Sequence, residues 1–215
     1  MKKLMGVLII LFVAQNILAQ DFDKVKTDLL LSKVDDAKAD YDKILAKKAN
    51  LVGTAPALYW KSKIYSAYHK DAAKYPNAYN ELKTALDAYI NAEASLQLAK
   101  DNGQEPFFDV YIRSFKGGVD SFNTKNWKGA AAHFSNAVKY SDIIFTQGWA
   151  SSKQKFDTTA IIYAGYSSQN AGNIDETLSF YERLADNKVA NPELADAYRY
   201  ILVDRKSTRL NSSHT

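Results

Sequence analysis

The chain is 215 residues long and contains no cysteine, which excludes disulfides, thiol catalysis and cysteine-based metal sites. Its formal charge of +4 comes from 28 basic and 24 acidic residues. Five of those bases (Lys2, Lys3, Arg205, Lys206, Arg209) and one acid (Asp204) lie at the two ends; the body between them is neutral, and no electrostatic case for nucleic acid or an anionic membrane remains.

Residues 1–20, MKKLMGVLIILFVAQNILAQ, pair a positive start (Lys2, Lys3) with an apolar run over 4–14 and a small residue, Ala19, for cleavage. This is the form of a secretory signal peptide. The apolar run is shorter than the ~20 residues a spanning helix needs. No cysteine follows it for lipid attachment, so the mature chain is expected in a periplasm or outside the cell.

The elements that follow all read as helices. A short one is expected over 22–31, with Ser32 as the cap of the next. Residues 50–54, with Gly53, read as a loop. The next helix is expected over 55–75, with Pro56 in its first turn, Trp60, Ile64, Ala67 and Tyr68 as its inward stripe, and the Tyr75-Pro76 pair as its end. A long helix is expected over 77–100, stopped by Asp101-Asn102-Gly103. Pro106 begins another, and Asn123-Thr124-Lys125 turns it into a helix capped by Asn126. After a longer connection, Asp157 caps a helix that runs to Gln169. Asn173 stands at the start of the next, with Asp175 and Glu176 where the helix dipole favours acids. Asn191-Pro192-Glu193 is a further start signal. No strand-like alternation is present. The last residues, 204–215 (DRKSTRLNSSHT), break the apolar pattern. Back-translated, they spell a sequencing-library adapter, so they are expected to be an artefactual or disordered tail, with the natural protein continuing beyond Val203.

One spacing recurs. Val34, Ala37, Tyr41 and Ile44; Leu82, Ala85, Tyr89 and Ala92; Trp127, Ala130, Phe134 and Ala137; and Ile174, Thr177, Tyr181 and Leu184 all step by three, four and three, on one helix face. The units lie 45 to 48 residues apart, the mark of a stacked repeat. The strongest unit, 106–141, resembles the tetratricopeptide repeat, whose second helix carries an aromatic, an alanine, an aromatic and an alanine at these steps. Gly118, Gly165 and Ala73 each fall nine residues before the first stripe position, where that family places a small first-helix residue. The family period is 34 residues, shorter than here, and related α-solenoid families share the pattern of helix pairs. The resemblance implies an all-α fold: a right-handed α-solenoid of antiparallel helix pairs over residues 21–203.

No catalytic constellation is present. Outside the tail the histidines are His69 and His133, and His133 has no acid at metal-ligand spacing. Gly117-Gly118 lacks the spacing of a phosphate loop, and Ser151-Ser152-Lys153 reads as a solvated loop. No metal or cofactor is expected. What remains is binding: an exported non-enzymatic scaffold for a protein or peptide partner, with the helical arm of a larger exported enzyme or glycan-binding protein as the alternative. First helices line the concave side of such solenoids, which makes Lys61, Tyr65, Arg113, Lys116 and Tyr166 the candidate partner-binding residues.

Overall fold

A computed structural model describes residues 21–190 and 194–212. The signal-like segment 1–20 and the start signal Asn191-Pro192-Glu193 lie outside the described residues. Among the described residues there are ten α-helices and no strand: α1 (Asp23–Leu30), α2 (Val34–Lys47), α3 (Ala55–Tyr68), α4 (Ala78–Ala92), α5 (Gln97–Asn102), α6 (Glu105–Asn123), α7 (Trp127–Thr146), α8 (Thr158–Ala171), α9 (Ile174–Asp186) and α10 (Ala195–Ser212), with a 3₁₀ turn at Ala49–Leu51. No described helix is long and apolar enough to cross a membrane. The chain divides into two compact units, residues 1–109 and 110–215.

The turns repeat more strictly than the helices. Ser32, Lys125 and Gly172 all have positive φ. In each case that residue donates to the carbonyl three back, and its successor donates to the carbonyl five back: Ser32 to Leu29 and Lys33 to Asp28, Lys125 to Phe122 and Asn126 to Ser121, Gly172 to Gln169 and Asn173 to Ser168. This is the Schellman ending. One residue later the next helix begins, at Val34, Trp127 and Ile174. Three helix pairs, α1/α2, α6/α7 and α8/α9, thus share one connector geometry, over three residues in the first two pairs and two in the third. Ser32 is therefore the left-handed terminator of α1 and not the expected cap of α2, whose N-cap is Lys33. The capping expectations hold at Asn126 and Asp157, where Asn126 Oδ1 accepts from the Gly129 N–H at 3.2 Å and Asp157 Oδ1 from the Ala160 N–H at 3.0 Å; Asn173 is the N-cap of α9 but its side chain accepts no capping bond.

In the first unit two helices are shorter than expected. Helix α3 stops at Tyr68. The chain then turns through residues 69–77, where Asp71 accepts from the Lys74 N–H and the Tyr75 ring lies 4.1 Å from that of Tyr68. Both tyrosine hydroxyls donate to Asp35 on α2, at 2.8 and 2.9 Å, so tertiary contacts replace the last helical turns. Ala73, expected at a helix crossing, is exposed in this connection. Helix α4 ends at Ala92, because the Glu93 carboxylate accepts from the Tyr89 hydroxyl (2.5 Å) and from the Leu98 N–H (3.3 Å). That fold-back puts Leu96 in the left-handed region at φ 53° and buries it. The core of this unit centres on Tyr59 and Tyr89, fully buried, with ring centroids 5.3 Å apart.

In the second unit α7, α8 and α9 enclose a core of Ala130, Phe134, Ala160, Ile161, Ala164, Tyr181 and Leu184, joined by Leu194, Ala197 and Ile201 from the end of the chain. Glu176 ties three helices together: it accepts from Ser135 on α7 (2.7 Å), Ser168 on α8 (2.9 Å) and Asn173 (3.3 Å). Helix α10 continues through residues 204–212 to Ser212, against the expected break after Val203. That segment contains no proline or glycine, and its Arg, Lys and Leu are good helix formers, so a helix already nucleated at Ala195 propagates.

Of the four stripe positions, the middle two are buried in every unit. Ala37, Ala85, Ala130 and Thr177 are at most 2% exposed, and Tyr41, Tyr89, Phe134 and Tyr181 at most 5%. The outer positions vary: Ile174 and Ala92 are exposed, while Leu82, Ala137 and Leu184 are buried. A small residue followed four positions on by an aromatic is the recurring core contact.

Candidate functional site

The second unit carries a cluster of rings that reaches solvent. Its base is Phe134 on α7, fully buried. Tyr163 of α8 stacks on it at 5.2 Å with planes 20° apart. Phe122, in the last turn of α6, meets Tyr163 edge-on at 5.2 Å and Tyr166 at 5.6 Å. The left-handed Lys125 and the Asn126 cap place Trp127 at the first position of α7. From there its ring lies 5.3 Å from Phe122 and 6.0 Å from Tyr166. Phe122 and Trp127 are half-buried, whereas Tyr163 and Tyr166 are 37% and 46% exposed. The mostly edge-to-face geometry is the one aromatic quadrupoles prefer.

Helix α8 gives this cluster a distinctive face. Its exposed residues are Thr159, Tyr163, Tyr166 and Asn170, at steps of four, three and four, which makes one stripe along the helix. The helix sequence, TTAIIYAGYSSQNA, contains no charged residue. Among the described residues the hydroxyls of Tyr163 and Tyr166 and the indole N–H of Trp127 have no hydrogen-bond partner in the protein. Asn170 donates to the Tyr166 carbonyl at 2.8 Å. The α8 stripe therefore offers ring faces and two phenols without charge, beside the obligate indole donor of Trp127.

The structure divides the sequence-derived candidates. Tyr166 lies in the cluster. Lys61 and Tyr65 belong to the other unit, where Lys61 pairs with Glu81 at 2.7 Å and lies 5.6 Å from the Tyr65 ring; Tyr65 itself packs edge-on against Tyr68 at 5.9 Å. Arg113 and Lys116 are exposed on α6. At 3.6 residues per turn Arg113 falls opposite Phe122 and Lys116 about a third of a turn from it, so neither shares the face of α6 that carries Phe122. Phe122 and Tyr163 were not singled out from the sequence. The legible signal was a pair of tyrosines three apart on a helix without charge. Trp127, which the stripe spacing puts in the core, is half-buried at the rim of the cluster because it opens its helix.

Other polar groups carry structure. The His69 Nε2 stands 3.3 Å from Asp109 Oδ2 without the alignment of a hydrogen bond, and Ser66 donates to the same oxygen. Burial pushes Asp109 up, but the imidazole and the hydroxyl outweigh it and hold the carboxyl below its ordinary value. The acid stands between serine and histidine, so the imidazole cannot receive the serine proton as in a catalytic triad. Gly117 and Gly118 lie under His133 and Phe134, a packing role. Ser151, Ser152 and Lys153 are exposed in the α7–α8 connection. Among the described residues no group of three or more His, Asp or Glu could hold a metal ion. Comparison with protein-family models, curated proteins and solved structures finds no match to this chain.

Proposed function

We propose that this protein is an exported, non-enzymatic helical-repeat scaffold of the α-solenoid type, which captures a protein or peptide partner. The observation that carries the reading is the uncharged Tyr163–Tyr166 stripe on α8 beside Trp127. Exposed tyrosine and tryptophan are the residues that most often anchor interfaces. Supporting the repeat architecture are the buried small–aromatic pair in four helices and the shared connector in three helix pairs. The test is retention of a partner from the native envelope by the full chain. Tyr166→Ala should abolish retention while the helical circular dichroism spectrum is unchanged. Equal retention by the variant, or turnover of a substrate by the chain alone, would reject the proposal.

A second reading, the arm of a glycan-handling protein, draws on the same exposed rings, whose faces also suit the apolar faces of sugars. Binding of a soluble oligosaccharide that depends on Tyr166 would favour it.

A further inference from the structure

The geometry points to a proline-rich peptide in polyproline II conformation as the ligand of the α8 stripe. The inference rests on the scaffold reading above and names its partner class.

The first argument is hydrogen-bond complementarity. Proline residues carry no N–H, so a proline-rich segment presents carbonyl acceptors almost alone. A polyproline II helix makes no internal hydrogen bonds, which leaves those carbonyls free. Among the described residues the polar handles at the ring cluster have no protein partner: the Trp127 indole N–H, which can only donate, and the Tyr163 and Tyr166 hydroxyls, which donate and accept. A saccharide's hydroxyls can use the phenol oxygens, Thr159 and Asn170 as acceptors, but the Trp127 indole N–H is a handle that only an acceptor satisfies.

The second argument is charge and shape. Helix α8 has no charged side chain, so a charged peptide lying along it would be desolvated over the rings without compensation from that helix. Proline rings lie flat on aromatic faces, and aromatic-lined grooves are the usual receptors for such segments. From Thr159 to Asn170 the stripe runs about 16 Å at 1.5 Å per residue, the length of roughly five residues of polyproline II at 3.1 Å each. The third argument is entropy. Six side chains, Phe122, Trp127, Thr159, Tyr163, Tyr166 and Asn170, make a small site, and a small site is best served by a ligand that is ordered before it binds.

The experiment uses the full chain and fluorescence anisotropy of a fluorescein-labelled decaproline amide. Saturable binding is expected. Tyr166→Ala should weaken it by about tenfold or more, Tyr166→Phe by less, and Arg199→Ala, exposed on α10 and not among the six side chains of the site, should leave it unchanged. Circular dichroism establishes that each variant is folded. The inference is overturned if a labelled glycine–serine peptide of equal length binds as tightly, if maltoheptaose displaces the decaproline, or if folded Tyr166→Ala binds it as well as the parent. Failure of decaproline alongside Tyr166-dependent retention of an envelope partner overturns the ligand class and leaves the scaffold reading standing; failure of both overturns both.

Discussion

Gly165 on α8 and Tyr181 on α9 pack so closely that a Cβ on the glycine would stand 2.5 Å from the tyrosine Cε1. The same relationship joins α6 and α7, where a Cβ on Gly118 would stand 2.7 Å from the ring of Phe134. The sequence separation is 16 residues in both pairs. A glycine within a helix costs about 1 kcal/mol relative to alanine, and here the close approach of a buried ring offsets that cost.

Gly165→Ala therefore should not give the usual gain of helix propensity. The added methyl must displace a ring held in a close-packed core, and overpacking of this kind costs about 1–3 kcal/mol. A lower urea midpoint than the parent is the expected result; a higher midpoint would mean that the ring moves aside freely.

Ala130 is fully buried in the core beside Phe134 and Ala164. Ala130→Leu should destabilise the protein by about 1–3 kcal/mol. The thermal unfolding midpoint checks this, and an unchanged value would contradict the packing described for α7.

Lys125 has φ 56° at the end of α6, where α8 has Gly172 at φ 80°. An L-residue in that region costs roughly 1–2 kcal/mol, while glycine enters it freely. Lys125→Gly should raise stability by about 1 kcal/mol and Gly172→Lys should lower it by a similar amount. Denaturant titration of the two variants, read side by side, tests both signs.

The Asp40 carboxyl is drawn down to about 2, first by the hydrogen bond from Lys24 and then by that from Lys43. An aspartate in an unfolded chain titrates near 3.9. Because the folded value is the lower one, its contribution is fully present above about pH 4 and is lost as the pH falls towards about 2. Asp40→Asn should flatten the acid limb of the stability profile between about pH 4 and 2. The partners are solvent-exposed, Lys24 at 67% and Lys43 at 69%, so 1 M salt should shrink the difference. An unaltered acid limb would show that the pair is not held in solution.

The sequence by itself determined the all-helical content, the helix starts at Asn126 and Asp157, and the buried small–aromatic pair. Each follows from local chemistry: an oxygen placed to accept an orphan N–H, or a spacing that puts two residues on one face. Only the tertiary structure decided where α3 and α4 stop and which rings reach solvent. Ser32, Leu96 and Lys125 take left-handed conformations that their residue types do not advertise; at Leu96 a carboxylate fold-back imposes it. Tyr163 and Tyr181 are alike as residues, yet one is 37% exposed and the other 3%. The difference lies in which helix packs over each ring, and that is settled by contacts between segments distant in the chain.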